Sequence, residues 1–156
     1  KMANLAQLVN VLQSPILTDG EKMVLTPTYH VLEMYKVHQD ATLLPLEVQS
    51  DAYAFGEQSI PALNASASRD QDGRIHLSLC NLDPAQAADI VCELRGVQVN
   101  RVSGRVLTAD AMTAHNTFEQ ADNVHPVPFA DARLDGETLR AQLPPKSVVV
   151  FELQEQ

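Results

Sequence analysis

The chain has 156 residues, 45% apolar and 20% charged, a composition that suits a folded domain with a real core and excludes a disordered one. Eleven Lys and Arg against twenty Asp and Glu leave a formal charge of -9, which argues against a nucleic-acid partner, because that affinity needs clustered cations to displace counterions. No apolar run approaches the roughly 20 residues that span a bilayer, so no membrane partner is expected, while a leader upstream of Lys1 is left open.

Residues 1–6 open inside an apolar stretch with no cap, turn or initiator methionine, and the chain is expected to begin mid-fold. Met2, Leu5, Leu8, Val9 and Leu12 fall near helical spacing, but a short buried parallel strand reads much the same way, so periodicity alone leaves residues 2–12 open. Pro15 and the pair Asp19-Gly20 flank apolar pairs and predict a loop with a small hairpin. Thr26-Pro27 predicts a helix start, since Thr can cap free N–H groups and Pro is pre-set for the first helical position. Val31, Met34, Tyr35 and His38 then recur along one helical face. After Asp40 the pattern changes to short alternating strands, expected near 46–54, 62–69, 74–80, 89–95, 97–107, 127–134, 138–143 and 146–153. Asp72-Gly73, Asp83-Pro84 and Asp135-Gly136 supply turns between them. Such spacing predicts a mainly β fold, an antiparallel jelly-roll-like sandwich.

Two cysteines bear on redox state. Ile75, Leu77 and Leu79 put the apolar face of one strand on odd positions, while Ile90, Cys92 and Leu94 put that of another on even positions. If both faces share one core, Cys92 points into it and Cys80 away, so the pair is expected to remain free thiols, as suits a reducing compartment.

The segments Ala6-Gln7-Leu8-Val9-Asn10-Val11-Leu12 and Leu25-Thr26-Pro27-Thr28-Tyr29-His30-Val31-Leu32-Glu33-Met34-Tyr35-Lys36-Val37-His38 resemble the closing stretch of the catalytic barrel in glycoside hydrolase family 51, the α-L-arabinofuranosidases. The resemblance resumes in Gly104-Arg105-Val106-Leu107-Thr108, Met112-Thr113-Ala114-His115-Asn116-Thr117-Phe118, Pro126-Val127-Pro128-Phe129 and Leu143-Pro144-Pro145-Lys146-Ser147-Val148-Val149-Val150, in the family's order. It implies that residues 1–40 are the remnant of a (β/α)8 barrel, its last strand and helix, and that residues 41–156 are the C-terminal β-sandwich domain.

Enzymes of that family are retaining and need a nucleophilic and an acid/base carboxylate roughly 5 Å apart. The family supplies both as glutamates on earlier barrel strands, which this sequence does not contain. Glu21, Glu33 and Glu93 match neither motif, so no catalytic residue is assigned. Gln7 is different. The resemblance puts it at the C-terminal end of the last barrel strand, where barrel active sites gather, and implies that it binds the substrate arabinofuranose. A primary amide suits that task because it both donates and accepts hydrogen bonds. Asn10 is expected to shape the same loop.

His30, His38, His76, His115 and His125 show no tight ligand spacing, and structural roles are expected for them and for Asn116. Asp70-Gln71-Asp72-Gly73 resembles the start of a calcium loop but lacks the later acidic ligand, and is read as a hairpin turn. No metal and no cofactor are assigned.

The resemblance thus implies the C-terminal part of a cytoplasmic α-L-arabinofuranosidase that removes terminal arabinofuranosyl residues from arabinan and arabinoxylan oligosaccharides. The fragment alone is expected to be inactive. Family members often form hexamers, so a homo-oligomer belongs among the implied partners. The alternatives are a stand-alone carbohydrate-binding or structural sandwich. Sugar-binding modules lean on flat aromatic faces, and this chain has no Trp and only three Tyr: Tyr29, Tyr35 and Tyr53. A purely structural role leaves Gln7 without a purpose.

Overall fold

The structure, a computed structural model, describes residues 5–155. Most of the expected opening strand, residues 1–4, lies outside the described residues; Leu5 and Ala6 belong to no strand.

A hairpin of β1 (Ile16–Asp19) and β2 (Lys22–Leu25) leads into α1 (Pro27–Tyr35), which tightens into a 3-10 turn over Lys36–His38. Next come β3 (Thr42–Leu43), β4 (Ala52–Phe55), β5 (Gln58–Pro61), β6 (Leu63–Arg69) and β7 (Ile75–Asn81). The remaining strands are β8 (Ala88–Glu93), β9 (Val99–Leu107), β10 (Val127–Pro128), β11 (Ala132–Asp135), β12 (Thr138–Leu143) and β13 (Ser147–Glu155). One antiparallel sheet has six strands in the order β10-β9-β13-β7-β6-β3, and a second has three, β11-β12-β8. The fold is therefore the mainly β antiparallel sandwich that the strand pattern predicts.

Alternation decides what each strand buries. Ile75, Leu77 and Leu79 of β7 and Val149, Phe151 and Leu153 of β13 meet Ile90 of β8 and Leu139, Ala141 and Leu143 of β12 between the sheets. Each such aliphatic or aromatic side chain contributes roughly 1.5–3 kcal/mol when fully buried. The other face of the large sheet is covered too. Met34 of α1 packs there with Leu107, Val124 and Val150, flanked by Val31, Tyr35 and Val37. The residues picked out by helical spacing are thus the ones that dock the helix. Cys80 and Cys92 are free and half-buried, and Cys92 packs against the inter-sheet core.

Two expected strands are revised. The stretch near 46–54 is irregular until β4, which pairs with β5 as a separate hairpin through the Gly56 turn. The stretch near 127–134 is split: β10 edges the large sheet and β11 edges the small one. Pro126 and Pro128 explain the break, because proline supplies no N–H to a ladder and suits only short edge segments. The chain crosses between the sheets at residues 129–131, and Phe129 packs against the core there.

Gly104 has a steric role. It is the register partner of Phe151, and a Cβ built on it would lie 2.7 Å from Phe151 Cδ1 and 3.3 Å from Phe129 Cβ. The two rings meet edge to face with centroids 5.4 Å apart and occupy the space a side chain would need. At the far end of β13 the pairing with β9 slips between Gln154 and Glu155.

Gly104→Ala should destabilise the chain by about 1–3 kcal/mol, the usual cost of overpacking a filled core. A lower urea midpoint with an unchanged slope would show it; an unchanged midpoint would mean that Phe151 can move aside.

Candidate functional site

The segment from Leu5 to Pro15 is irregular and is tied to β1. The Ile16 N–H donates to the Leu8 carbonyl and the Asn10 N–H to the Ile16 carbonyl, each at 3.1 Å. Val9 and Ile16 form an isolated parallel bridge. Asn10 adds a two-point clamp: its Oδ1 accepts from the Thr18 N–H at 2.7 Å and its Nδ2 donates to Thr18 Oγ1 at 2.9 Å. Ser14, only 2% exposed, accepts from the Val11 N–H and donates to the Ile16 carbonyl.

The start of the helix holds the other side of this loop. Thr26 does not cap α1 with its side chain as its position predicts. Its hydroxyl instead donates to the Ser14 carbonyl at 2.8 Å and its N–H to the Pro15 carbonyl at 2.9 Å. The cap residue has become a tether between loop and helix.

Gln7 is exposed, with φ at 60°, and Asn10 has φ at 56°. Both are left-handed and neither is glycine. Asn tolerates that conformation through local side-chain hydrogen bonds, which the Thr18 clamp supplies, whereas for Gln it costs roughly 1–2 kcal/mol. Strain of this kind persists only where the surroundings impose it, and it concentrates at functional positions.

The other polar residues singled out in the sequence are brought together differently. His38 bridges the 3-10 turn to the sheet, with Nδ1 2.6 Å from Ser68 Oγ and Nε2 2.5 Å from Ser78 Oγ. Burial and the neighbouring His76 lower its pKa, which favours the neutral ring. The Tyr35 hydroxyl lies 3.3 Å from Cys80 Sγ, and burial followed by that hydrogen bond raises its pKa. Burial also lowers the pKa of His30, whose Nε2 is buried with no hydrogen-bond partner among the described residues. Glu33 binds Lys36 and Arg105; burial opposes its ionisation, but those hydrogen bonds hold it below the usual carboxylate range.

Asn116, 3% exposed, donates to the carbonyls of Leu25 and Val124 and accepts from the Val124 N–H, joining the end of β2 to the 109–126 loop. His115 is exposed; its ring meets the nearby Thr113 carbonyl, and its own carbonyl accepts from Asn123 Nδ2. Asp70 heads the β6–β7 hairpin turn. One carboxylate oxygen accepts from the backbone N–H groups of Asp72 and Arg74, and the other faces Arg74 Nε and His76 Nε2 at 3.0 and 2.9 Å. Among the described residues no group of three or more His, Cys, Asp or Glu could hold a metal ion.

Two open clefts mark the surface. The larger, about 680 Å³, lies along the small sheet and includes Asp89, Arg133, Arg140 and Gln142; the smaller, about 320 Å³, lies between α1 and the large sheet and includes Glu33, Arg105 and Glu152. Gln7 lines neither.

This sandwich with a helix on its outer face is similar to the C-terminal domains of glycoside hydrolases. The model of one such family, the alpha-L-arabinofuranosidase C-terminal domain, matches residues 1–147, and the chain belongs to that family. It is 45% identical over 155 residues to an intracellular exo-alpha-L-arabinofuranosidase of Bacteroides ovatus, a match covering 99% of this chain and 30% of the relative. Among solved structures it is similar to the GH51 arabinofuranosidase of Xanthomonas axonopodis pv. citri, with a TM-score of 0.95, 47% identity, and coverage of 98% of this chain and 31% of that one. The α-L-arabinofuranosidase of Thermotoga maritima, solved with arabinose, gives a TM-score of 0.85 at 26% identity, covering 99% and 34%. The chain thus spans about three tenths of the length of the relatives it matches.

Asp70 tests the β6–β7 turn. Burial works against its charge, but the hydrogen bonds from His76 and Arg74 prevail and set its pKa at about 2. A folded pKa below the unfolded one contributes stability above about pH 4 that is lost as pH falls toward 2. Asp70→Asn should therefore cost on the order of 2 kcal/mol at pH 7, and the gap to wild type in urea denaturation should narrow below about pH 4 and close only as pH falls through about 2. A gap independent of pH would assign its contribution to turn geometry rather than charge.

Proposed function

We propose that the chain is the C-terminal part of a retaining α-L-arabinofuranosidase that removes terminal arabinofuranosyl residues from arabinan and arabinoxylan oligosaccharides. In this reading residues 1–40 close the catalytic (β/α)8 barrel and residues 41–156 form the accessory sandwich beside it. Barrel strands upstream carry the nucleophile and acid/base glutamates of the retaining pair. Gln7 stands where the last barrel strand ends, at the face where barrel active sites gather, and its amide exchanges hydrogen bonds with the sugar hydroxyls.

The observation that carries this reading is the backbone of Gln7. An exposed glutamine held at φ 60° in a loop tied to β1 and to the start of α1 is a costly arrangement. Membership of the arabinofuranosidase family supports the substrate class. We place the protein in the cytoplasm, a reading supported by its two free thiols and by the Bacteroides relative's description as intracellular. Assembly into a homo-oligomer belongs to the same proposal.

In the full-length protein, Gln7→Ala should lower kcat/KM on an aryl α-L-arabinofuranoside roughly tenfold, the effect of losing one or two neutral hydrogen bonds. Its unfolding midpoint should stay close to that of wild type. Unchanged kinetics would remove Gln7 from the substrate site. The 156-residue chain alone should hydrolyse no arabinofuranoside, because it lacks the retaining pair; turnover by the purified chain would overturn the proposed division of labour.

A further inference from the structure

We infer that Asn10 is a positioning residue for the arabinofuranoside reaction: by clamping Thr18 with both atoms of its amide, it holds the loop in which Gln7 presents its own amide to the sugar. The inference rests on the assignment of Gln7 in the preceding subsection and extends it to a residue that need not touch substrate.

Loops are usually anchored either by burying apolar side chains or by hydrogen bonds. Within the chain this one uses the first only at its far end, where Pro15 is buried; around Gln7, Leu8, Val9 and Leu12 are 63%, 46% and 103% exposed. Its shape near Gln7 within the chain therefore rests on its polar ties. The nearest to Gln7 are the Leu8 carbonyl accepting from Ile16 and the Asn10 backbone and side chain gripping Ile16 and Thr18. Without them, Gln7 would gain by relaxing from φ 60° to the right-handed region, which swings its side chain away from its present direction.

The residue type fits that task. A residue at φ 56° whose side chain must accept from the N–H of Thr18 and donate to its hydroxyl has to be short, tolerant of left-handed backbone and bifunctional, and Asn meets all three demands. The clamp is solvent-exposed, where it adds little to global stability, so its main product is the geometry of the loop.

The test uses the full-length protein, an aryl α-L-arabinofuranoside, and five variants: Gln7→Ala, Asn10→Gly, Thr18→Val, Thr18→Ser and Gln7→Ala/Asn10→Gly. Glycine keeps the left-handed backbone and removes only the clamp, so Asn10→Gly should approach the roughly tenfold loss of Gln7→Ala, divided in the same way between kcat and KM. Thr18→Val, which keeps the backbone N–H, should fall between wild type and Asn10→Gly, and Thr18→Ser should restore activity. Because Asn10 acts through Gln7, adding Asn10→Gly to Gln7→Ala should change kcat/KM by less than about twofold. Wild-type kinetics for Asn10→Gly beside an impaired Gln7→Ala would overturn this inference alone. A silent Gln7→Ala would overturn both assignments, and fully multiplicative losses in the double variant would show that Asn10 acts independently of Gln7. Should Asn10→Gly fail to fold, Thr18→Val against Thr18→Ser decides the matter: an equal loss in both, or none in Thr18→Val, is the contrary result.

Discussion

Strand β13 lies between β7 and β9 in the large sheet and must bury both of its faces. Its odd-numbered side chains, Val149, Phe151 and Leu153, fill the space between the sheets, while Val148 and Val150 meet the helix on the other side. A strand buried on both faces admits one register, since a slip of one residue exchanges the two sets. The position of α1 follows from that register, and the position of the loop follows from α1, because Thr26 at the helix start holds the carbonyls of Ser14 and Pro15. The conformation of Gln7 therefore sits at the end of a mechanical chain that begins in the middle of the sheet.

Much of that chain was legible in the amino-acid sequence, and the departures have physical causes. Alternation in β7 identifies Ile75, Leu77 and Leu79 as core, and helical spacing identifies Val31, Met34 and Tyr35 as the docking face of α1. What alternation could not show is that His76 and Ser78 are also buried, at 4% and 0% exposure. Polar letters read as a solvent face. Here they lie under the helix end, where His38 satisfies Ser78 and Asp70 satisfies His76. The division of 127–134 into two edge strands was hidden for another reason: periodicity persists while the chain changes sheets, and only Pro126 and Pro128 hint at the break.

The site was less legible. Gln7 stood out only through a family resemblance, since nothing in its immediate spacing sets it apart from other exposed glutamines. Its left-handed backbone carries no sequence signal, because Gln is not a residue type favoured there. Thr26 was recognisable as a helix boundary but not as a tether, for the Ser14 carbonyl that its hydroxyl binds is brought within reach only by the tertiary fold. Asn116, by contrast, has a role that its buried amide makes plain only once Leu25 and Val124 are brought beside it.

The slip in pairing between Gln154 and Glu155 falls just past Leu153, the last β13 residue in the inter-sheet core. Up to that point the strand answers to two opposed surfaces, and an added or deleted residue would turn aliphatic groups toward His76 and polar ones into the gap between the sheets. Beyond it no side chain enters the inter-sheet core, and the strand is held instead by the ion pair of Glu155 with Arg69, which a flexible side chain can keep across a slip in the ladder. Length variation along this strand should thus be confined to the residues after Leu153, where the domain can drift in evolution without exchanging the two faces of the strand.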